Sequence, residues 1–250
     1  MIYVCIPSFN EGPTVGLVLW KIRKVFEEFP REYQILVADD ASTDQTAPLL
    51  ESYTKTLPLT LVRHPSQQGY ARSVEELLSL ALERTDRPKR DSAVLMHADF
   101  SHGPQFLPDF VRRLESGADM VVGEATLQGE PSRGHRLVRR WAGLLLRRAV
   151  RVAGVHDIVS GFVAFRLVTL RNALRASGRT LIGDGWAANA ELIGRAARHA
   201  RRIETVQVVE RHDLRQRESR IHPWETLRQT WRAAGRIRLD RQSPQERTVS

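Results

Sequence analysis

Two acidic positions in this sequence follow shortly after apolar runs. Asp39 and Asp40 come directly after the run 35–38, and Asp99 comes shortly after the run 93–96. Asp, Ser and Thr side chains in such places commonly cap the next helix, but one of them is enough for a cap. Two adjacent carboxylates repel each other, and a ligand with several N–H or O–H donors, such as a nucleobase with its ribose, relieves that repulsion. We therefore interpret Asp39 and Asp40 as ligand-binding residues.

The segment around Asp99 has the residue types of a metal site. Alternate residues that leave a strand can face the same side, which brings His97 and Asp99 to one cation. A divalent cation neutralises the charge that develops on a diphosphate leaving group. The alternative is that Asp99 caps a turn and that His97 and His102 have no special role. We expect a Mg²⁺ or Mn²⁺ ion held by Asp99 and His97.

The elements that position these residues alternate between strands and helices. Short runs that are apolar on both faces predict buried parallel strands at 2–6, 35–38, 59–62, 93–96 and 120–122. Between them lie helical patterns, such as Val15, Leu19, Ile22 and Phe26 on one face. This order predicts an α/β layered sheet with right-handed crossovers. Ligands of open α/β sheets bind at the carboxyl ends of the strands, so the acidic segments meet at one edge, here called the rim.

The second half of the chain predicts five further elements. In order, these are a basic helix, a strand, a helix, a strand and a basic helix with tryptophan, at 137–153, 163–165, 187–197, 203–209 and 223–238. No internal repeat or low-complexity linker interrupts the sequence. We therefore predict one domain over residues 1–222, followed by a basic helix and polar tail over residues 223–250.

The charge of the chain favours anionic partners. The formal net charge is +9, and arginine supplies most of the positive charge. Nucleotide phosphates, nucleic acid and an acidic lipid surface all fit this charge. We expect no nucleic-acid partner, because no recognised nucleic-acid module or interleaved aromatic platform occurs. The single cysteine, Cys5, lies in an apolar run and is expected to be a buried structural thiol.

Hydropathy bears on where the protein acts. The N-terminus has no basic segment before an apolar one, and no apolar run approaches the roughly 20 residues that span a bilayer. We expect a cytoplasmic protein. Trp141, Leu144 and Leu145 in one basic helix, and Trp224 and Trp231 in the other, have arginines beside them. Such helices suit an anionic membrane surface, so we hypothesise peripheral contact with the inner face of the membrane; the alternative is a solvated charged face.

The segments that follow the strands resemble the motifs of family 2 glycosyltransferases, and among these the dolichyl- and polyprenyl-phosphate mannosyltransferases. The matching segments are Pro7-x-x-Asn10-Glu11, Asp39-Asp40-x-Ser42-x-Asp44-x-Thr46, Gln68-Gly69-x-Ala71-Arg72, Met96 through Pro104, Ser160 through Arg166, and Arg215 through Arg220. The resemblance implies a GT-A fold, a Rossmann-like sheet flanked by helices. It also implies inverting transfer of mannose or glucose from a GDP- or UDP-linked sugar to a polyprenyl or dolichyl phosphate.

The resemblance also implies roles for individual residues. The implied nucleotide-binding residues are Pro7, Asn10, Glu11, Asp39, Asp40, Gly69, Arg72, Ala98 and Asp99. The implied catalytic residues are Asp99, Glu191, Arg215 and Arg220. Arg215 and Arg220 would meet the acceptor phosphate, because guanidinium grips phosphate in a fork. A phosphate acceptor is already ionised near neutrality, so catalysis would depend on positioning and charge neutralisation.

The sequence departs from the family pattern in three places. His97 stands where the family has the first aspartate of its metal motif, and Glu124 and Ala125 replace the usual Ser/Thr-Arg after the fifth strand. In the family that arginine would face phosphate, and here Arg133, Arg136 or Arg139 could take its role. The third departure is Arg217, which occupies a glycine position.

Two other functions remain open at this point. The first is the same fold acting on a hydroxyl of a glycan or small metabolite, which needs a carboxylate base such as Glu191 or Asp184. The second is a sugar-nucleotide-binding protein that is catalytically impaired by the altered metal motif, since fold does not fix function.

Overall fold

The computed structural model describes residues 1–128, 133–177, 180–211, 228 and 230–237. Within these residues, seven strands form one sheet: β1 (Ile2–Ser8), β2 (Tyr33–Asp39), β3 (Leu59–Arg63), β4 (Ser92–Leu95), β5 (Met120–Gln128), β6 (Val163–Arg166) and β7 (Ile203–Arg211). Their order across the sheet is β3-β2-β1-β4-β6-β5-β7. The predicted strands are all present, although several are longer than the apolar runs that indicate them.

Helices pack on both faces of this sheet. They are α1 (Gly12–Glu28), α2 (Thr46–Tyr53), α3 (Tyr70–Arg84), α4 (Leu107–Glu115), α5 (Arg133–Ala149), α6 (Leu167–Ser177) and α7 (Trp186–Ala197), together with a terminal helix at 230–237. The sequence pattern predicts α5 at 137–153, whereas the helix begins at Arg133. It does not predict α6, because short apolar runs do not distinguish a helix from a strand.

The direction of β6 decides which segments reach the rim. β1 pairs in parallel with β2 and β4, and β2 pairs in parallel with β3. β6 is antiparallel to both of its neighbours, β4 and β5. Because β6 runs the opposite way, its first residue lies at the edge where β4 ends, and Leu95 is paired with Val163. The segment 160–162 therefore joins the loops after β1, β2 and β4 at the rim.

Alternating side chains of β1 show how the core divides between the two faces. Tyr3 and Cys5 pack on the face covered by α3, α5, α6 and α7, whereas Val4 and Ile6 pack with α1 and α4 on the other face. All seven residues of β1 are buried, as expected of a central strand. Burial raises the pKa of the Cys5 thiol, so this cysteine is a structural member of the core.

The terminal helix packs against the main core. Ala233, Ala234 and Ile237 are buried in the same cluster as α5 and α7. The predicted domain boundary at residue 222 lies outside the described residues and stays a prediction. No helix within the described ranges is long and apolar enough to cross a bilayer.

Candidate active site

Hydrogen bonds join the loop after β1 to the loop after β2. The Thr43 N–H donates to Asn10 Oδ1 at 2.7 Å, and the Asn10 N–H donates to Ser42 Oγ at 2.8 Å. The Glu11 N–H donates to Thr46 Oγ1 at 2.7 Å, and Glu11 itself is buried. The side chain of Asn10 therefore contributes to the site by fixing the shape of these loops.

Asp39 and Ser8 carry buried polar atoms that lack hydrogen-bond partners within the described part of the chain. The two residues are partners in the register of β1 and β2, at the last position of each strand. Asp39 Oδ1 accepts the Ser42 N–H at 3.2 Å, but Asp39 Oδ2 and Ser8 Oγ have no hydrogen bond there. Arg63 Nε approaches Asp39 Oδ2 only to 3.7 Å. Leaving such groups unpaired costs roughly 1–3 kcal/mol each, so the pair is suited to a ligand with O–H or N–H donors.

Asp40, in contrast, is fully engaged by the protein. Its Oδ1 is 2.7 Å from His64 Nδ1 and accepts the Gln68 N–H at 2.7 Å, and its Oδ2 accepts the Gly69 N–H at 2.9 Å. His64 Nε2 is 2.7 Å from Glu76 Oε2. The carboxylate of Asp40 therefore shapes the loop 64–69, and its role as a ligand-binding residue stays a prediction.

The imidazole of His64 lies between two carboxylates, Asp40 and Glu76. Burial on its own lowers the pKa of His64, but the hydrogen bonds to Asp40 and Glu76 raise it by more, so the net pKa lies above its ordinary value. The protonated ring donates from both nitrogens, one to each carboxylate.

The turn into α3 places Gly69 and Arg72 differently. Gly69 has a φ of 94°, and a Cβ built there would lie 3.3 Å from Asp184 Oδ2. The turn therefore needs glycine at this position, because its φ is positive and the loop passes close to Asp184. Arg72 is exposed and lines a separate hollow with Glu75 and Thr180. A contact between Arg72 and the nucleotide stays a prediction.

Aromatic rings stack along the rim next to Asp99. His97 stacks on Tyr70 with a centroid distance of 5.6 Å, and on His102 with a centroid distance of 5.7 Å. The edge of His97 faces Gly161, where an added Cβ would lie only 1.9 Å from Nε2. Asp99 is buried, and its Oδ1 accepts the Ser101 N–H at 3.0 Å. The structure thus brings His97 and Asp99 to the same edge as Asp39.

Asp99 is the carboxylate that the sequence indicates as a metal ligand, and this role stays a prediction. Across the residues the structure describes, no group of three or more His, Cys, Asp and Glu side chains is arranged around one metal position. A cation such as Mg²⁺ usually takes one or two carboxylates and completes its shell with phosphate oxygens and water. The carboxylate of Asp99 fits that pattern, with a bound diphosphate supplying further oxygens. A metal-ligating role for His97 stays a prediction.

A cavity of about 570 Å³ opens beside this stack. Tyr70 and His97 line it together with the segment 182–187 and Asn189, and the terminal helix contributes Thr230, Arg232, Ala233 and Arg236. The Tyr70 hydroxyl donates to Asn189 Oδ1 at 2.8 Å, and Asn189 Nδ2 donates to the Val159 carbonyl at 3.1 Å. These bonds fix the Tyr70 ring against His97. Ala98, the neighbour of His97, is buried.

Glu191 occupies a structural position. It lies in the middle of α7, which begins at Trp186, and its side chain is buried. Its Oε2 accepts the N–H groups of Ile182 at 2.8 Å and Gly183 at 3.2 Å, and its Oε1 pairs with Arg195. Burial raises the pKa of Glu191 despite the opposing effect of Arg195. Its oxygens therefore hold one wall of the cavity, and a catalytic role for Glu191 stays a prediction.

Several expected residues cannot be placed. Arg215, Arg217 and Arg220 lie outside the described residues, as do the side chains of Arg133, Arg136 and Arg139. Glu124, which follows the fifth strand where the family pattern has Ser or Thr, accepts the His156 N–H at 2.6 Å.

Sequence reasoning missed four residues of the rim and cavity. Ser8 carries no signal beyond its place at the end of a strand, and Tyr70 stands unmarked between Gly69 and Ala71 of a quoted motif. Arg232 and Arg236 are spaced i, i+4, which places both on one helix face. That spacing was visible in the sequence, but the element facing it was not.

Comparison with protein families agrees with this geometry. The sequence model of the family described as Glycosyl transferase family 2 matches residues 3–173. The match runs from β1 through most of α6, so it includes the Asp39 and Asp99 segments and the stretch 160–162.

Two curated proteins are similar to this chain. An undecaprenyl-phosphate mannosyltransferase of Micrococcus luteus is 29% identical over 207 residues, which cover 81% of this chain and 80% of that protein. A dolichol-phosphate mannosyltransferase of Pyrococcus furiosus is 25% identical over 168 residues, which cover 65% of this chain. The matched region spans only 45% of the length of the Pyrococcus protein.

Solved structures share the fold at lower sequence identity. A glucosyl-3-phosphoglycerate synthase of Mycobacterium tuberculosis, crystallised with Mn²⁺, UDP and glucosyl-3-phosphoglycerate, has a TM-score of 0.64 at 20% identity, covering 98% of this chain and 81% of that one. S. aureus TarS in complex with UDP has a TM-score of 0.60 at 16% identity, covering 94% of this chain and 64% of that one. Both are GT-A enzymes, and the expected GT-A fold is confirmed. With a family match that extends over more than half of its 250 residues, this chain belongs to glycosyl transferase family 2 and is a glycosyltransferase.

Proposed function

We propose that this enzyme transfers a hexose, mannose or glucose, from a nucleoside diphosphate sugar to a polyprenyl phosphate with inversion at the anomeric carbon. The observation that carries the donor part is the buried oxygen Asp39 Oδ2, which has no hydrogen bond within the described residues; the register partner of Asp39 is Ser8, whose Oγ likewise has none there. A ribose or nucleobase supplies O–H and N–H donors to such an oxygen. Pro7 and Glu11 lie at the same end of β1 and complete the proposed pocket.

The diphosphate would lie across the rim from this pocket. Asp39 is the last residue of β2, and Asp99 follows β4. Because β1 lies between these two strands in the sheet, they are two spacings apart, roughly 10 Å. A nucleoside diphosphate spans that distance. A divalent cation bound at Asp99 would neutralise the charge that develops on the leaving diphosphate. The N–H of Ser101 holds the Asp99 carboxylate in place.

Two arguments support a polyprenyl phosphate as the acceptor: the names of the similar mannosyltransferases, and the chemistry of a phosphate acceptor, which requires no catalytic base. An oxygen of the acceptor phosphate attacks the anomeric carbon, and the bond from that carbon to the diphosphate breaks on the opposite face. A phosphate monoester is already ionised near pH 7, so no proton has to be removed. This agrees with a cavity wall in which Glu191 is committed to backbone N–H groups and Arg195.

A lipid-linked acceptor would be reached from a membrane surface. Trp141 and Leu144 on α5 are 50% and 46% exposed, and Trp231 on the terminal helix is 67% exposed. Both helices pack on the same face of the sheet, and arginines accompany these apolar side chains. Exposed aromatic and basic residues on such helices favour an anionic membrane surface.

Asp184 favours a second candidate, transfer to a hydroxyl group. Its side chain is exposed on the cavity wall, where the N–H groups of Ala71 and Gly185 bind Oδ1 at 2.8 and 2.9 Å. A hydroxyl acceptor needs a carboxylate that removes its proton, and Asp184 is a better-placed carboxylate than Glu191. Asp184→Asn would abolish such a reaction, whereas transfer to a phosphate would continue.

The proposal is tested by product analysis. The full chain is incubated with radiolabelled GDP-mannose or UDP-glucose, with undecaprenyl phosphate in detergent, and with Mg²⁺ or Mn²⁺. We expect a lipid-extractable sugar phosphate, and we expect Asp99→Ala to abolish it. Asp109→Ala serves as the control, because Asp109 is an exposed residue that pairs with Arg112 on α4. A glycoside as the product would favour the second candidate, and no turnover with any donor would indicate a binding protein.

A further inference from the structure

The cavity next to the stacked rings has one strongly basic wall. Arg232 and Arg236 both line it from the terminal helix, and both are exposed. Residues four apart on a helix have Cβ atoms about 5–6 Å apart on one face, so the two guanidinium groups can converge. Neither makes a hydrogen bond or ion pair with another residue that the structure describes.

Buried residues of the terminal helix fix its orientation, so that the two arginines face the cavity. Ala233, Ala234 and Ile237 are buried against the core and hold the helix in place. Because these side chains anchor the helix, the two arginines are held at the cavity instead of turning with a free helix.

The other charged group at this cavity lies on a different wall. Asp184 is held by the N–H groups of Ala71 and Gly185, which partly offset its charge. His97 and Tyr70 form the part nearest Asp99. An anion entering the cavity therefore finds its counter-charge on the terminal helix, in the same cavity that His97 and Tyr70 line on the side of the rim.

We propose that Arg232 and Arg236 bind the phosphate of the acceptor, so that this cavity takes a phosphate monoester and presents its oxygen toward the donor site. The inference rests on the proposed function and assigns its acceptor subsite. Two guanidinium groups grip one phosphate through paired N–H bonds, which fix both its position and its orientation. A volume of about 570 Å³ accommodates a phosphate with the first part of its organic substituent.

The phosphate can be carried by a lipid or by a small soluble molecule. Trp231 is next to Arg232 and 67% exposed. In a lipid-linked acceptor the chain would leave the cavity past such a residue. The experiment therefore compares farnesyl phosphate in detergent with 3-phosphoglycerate, and uses farnesol as the acceptor that lacks phosphate.

The test uses Arg232→Gln, Arg236→Gln and the double variant in the full chain. At saturating donor, we expect each single change to raise the acceptor KM roughly tenfold, as the loss of a charge-assisted hydrogen bond does. The donor KM and the thermal stabilisation by nucleotide should remain at wild-type values. Arg236→Lys should recover part of the loss, because it keeps the charge but not the fork. Arg228→Gln is the matched control, since Arg228 is an exposed arginine close to this helix in the sequence and is not among the described residues that line the cavity.

The outcomes separate this inference from the proposed function. An unchanged acceptor KM in the double variant, or an equal rise in Arg228→Gln, overturns the role of these arginines while transfer by the wild type stands. Efficient transfer to farnesol overturns it as well. If the wild type transfers to neither phosphate, the proposed function fails, and stabilisation by farnesyl phosphate in the absence of donor still tests the arginines. Loss of stabilisation by farnesyl phosphate in the double variant supports the proposed role of the two arginines, and unchanged stabilisation refutes it.

Discussion

The neighbouring carboxylates Asp39 and Asp40 differ in how far the protein satisfies their hydrogen-bonding capacity. Asp40 accepts hydrogen bonds from His64, Gln68 and Gly69, so its charge is compensated within the protein. Asp39 is equally buried but has one oxygen that accepts no hydrogen bond from the described residues and lies 3.7 Å from Arg63 Nε. A protein tolerates such an oxygen when a ligand completes it, and the two residues should respond differently to the same substitution.

Asp39→Asn and Asp40→Asn form a matched pair of variants. We expect Asp39→Asn to weaken UDP or GDP binding by about tenfold with a small change in stability, because one ligand-facing acceptor is lost. Asp40→Asn should lower the free energy of unfolding by about 1–3 kcal/mol, because protein donors lose their acceptor. Calorimetric titration and urea unfolding measure the two effects. Equal losses of stability in both variants would contradict the distinction.

His64 makes stability depend on pH. Since its folded pKa is raised, its stabilising contribution is fully present below the ordinary histidine pKa, near 6.5, and is lost as the pH rises through the folded pKa. The melting temperature of the wild type should therefore fall over that range. His64→Gln should flatten this part of the profile. His199→Gln, a change at an exposed residue after α7, should leave the profile unaltered, and a flat wild-type profile would refute the assignment.

The sequence predicted that acidic residues meet at the rim, but not that their surroundings in the folded protein differ. Asp39, Asp40 and Asp99 are found where their places after apolar runs put them. Asp40 is compensated within the protein because His64 contacts it, and His64 in turn contacts Glu76. Neither His64 nor Glu76 is close to Asp40 in the sequence, so spacing does not show which of the two adjacent carboxylates is compensated. Spacing also cannot tell that Glu191 lies below the cavity surface, because that depends on how α7 packs.

Among the elements, β6 has the largest effect on the site. An apolar run predicts a strand but not its direction, so the antiparallel pairing of β6 with β4 was not predictable from residues 163–165 alone. That direction brings Gly161 against the edge of His97. The fold class and the order of most elements followed from hydropathy, whereas α6, several strand ends and the strand order across the sheet did not.

Gly161→Ala tests this close approach. A Cβ would lie 1.9 Å from His97 Nε2, so the ring must leave its stack on Tyr70 and His102. We expect a loss of stability of about 1–3 kcal/mol together with reduced transfer activity. Gly143→Ala on α5 is the control: no heavy atom lies within 4 Å of its added Cβ, and alanine favours a helix by up to about 1 kcal/mol. A Gly161→Ala variant with wild-type stability and activity would show that the stack is not required.

The whole molecule combines a compact GT-A sheet with a positive surface. Its formal net charge is +9, and the exposed Trp141 and Trp231 lie on helices that share one face of the sheet. A third exposed tryptophan, Trp20, is 49% exposed on α1, which packs on the opposite face. The three residues therefore allow membrane contact to be assigned to one side.

Flotation with anionic vesicles tests the proposed membrane face. Replacing Trp141 and Trp231 by Ser should lower vesicle binding by about tenfold or more, because two aromatic side chains lose their insertion energy. Trp20→Ser should bind as the wild type does, and binding should weaken as salt rises. Equal weakening by Trp20→Ser would place the contact elsewhere, and no binding by the wild type would remove the membrane hypothesis.

The central claim is that the loops after β1, β2 and β4 hold a nucleoside diphosphate sugar between Asp39 and Asp99. The most direct measurement is a crystal structure of the full chain with UDP or GDP and Mn²⁺, using whichever nucleotide raises the melting temperature more. We expect a ribose or base donor within hydrogen-bonding distance of Asp39 Oδ2, and the diphosphate beside Asp99. A nucleotide bound away from the rim, or an empty rim under conditions that stabilise the protein in solution, would contradict the account.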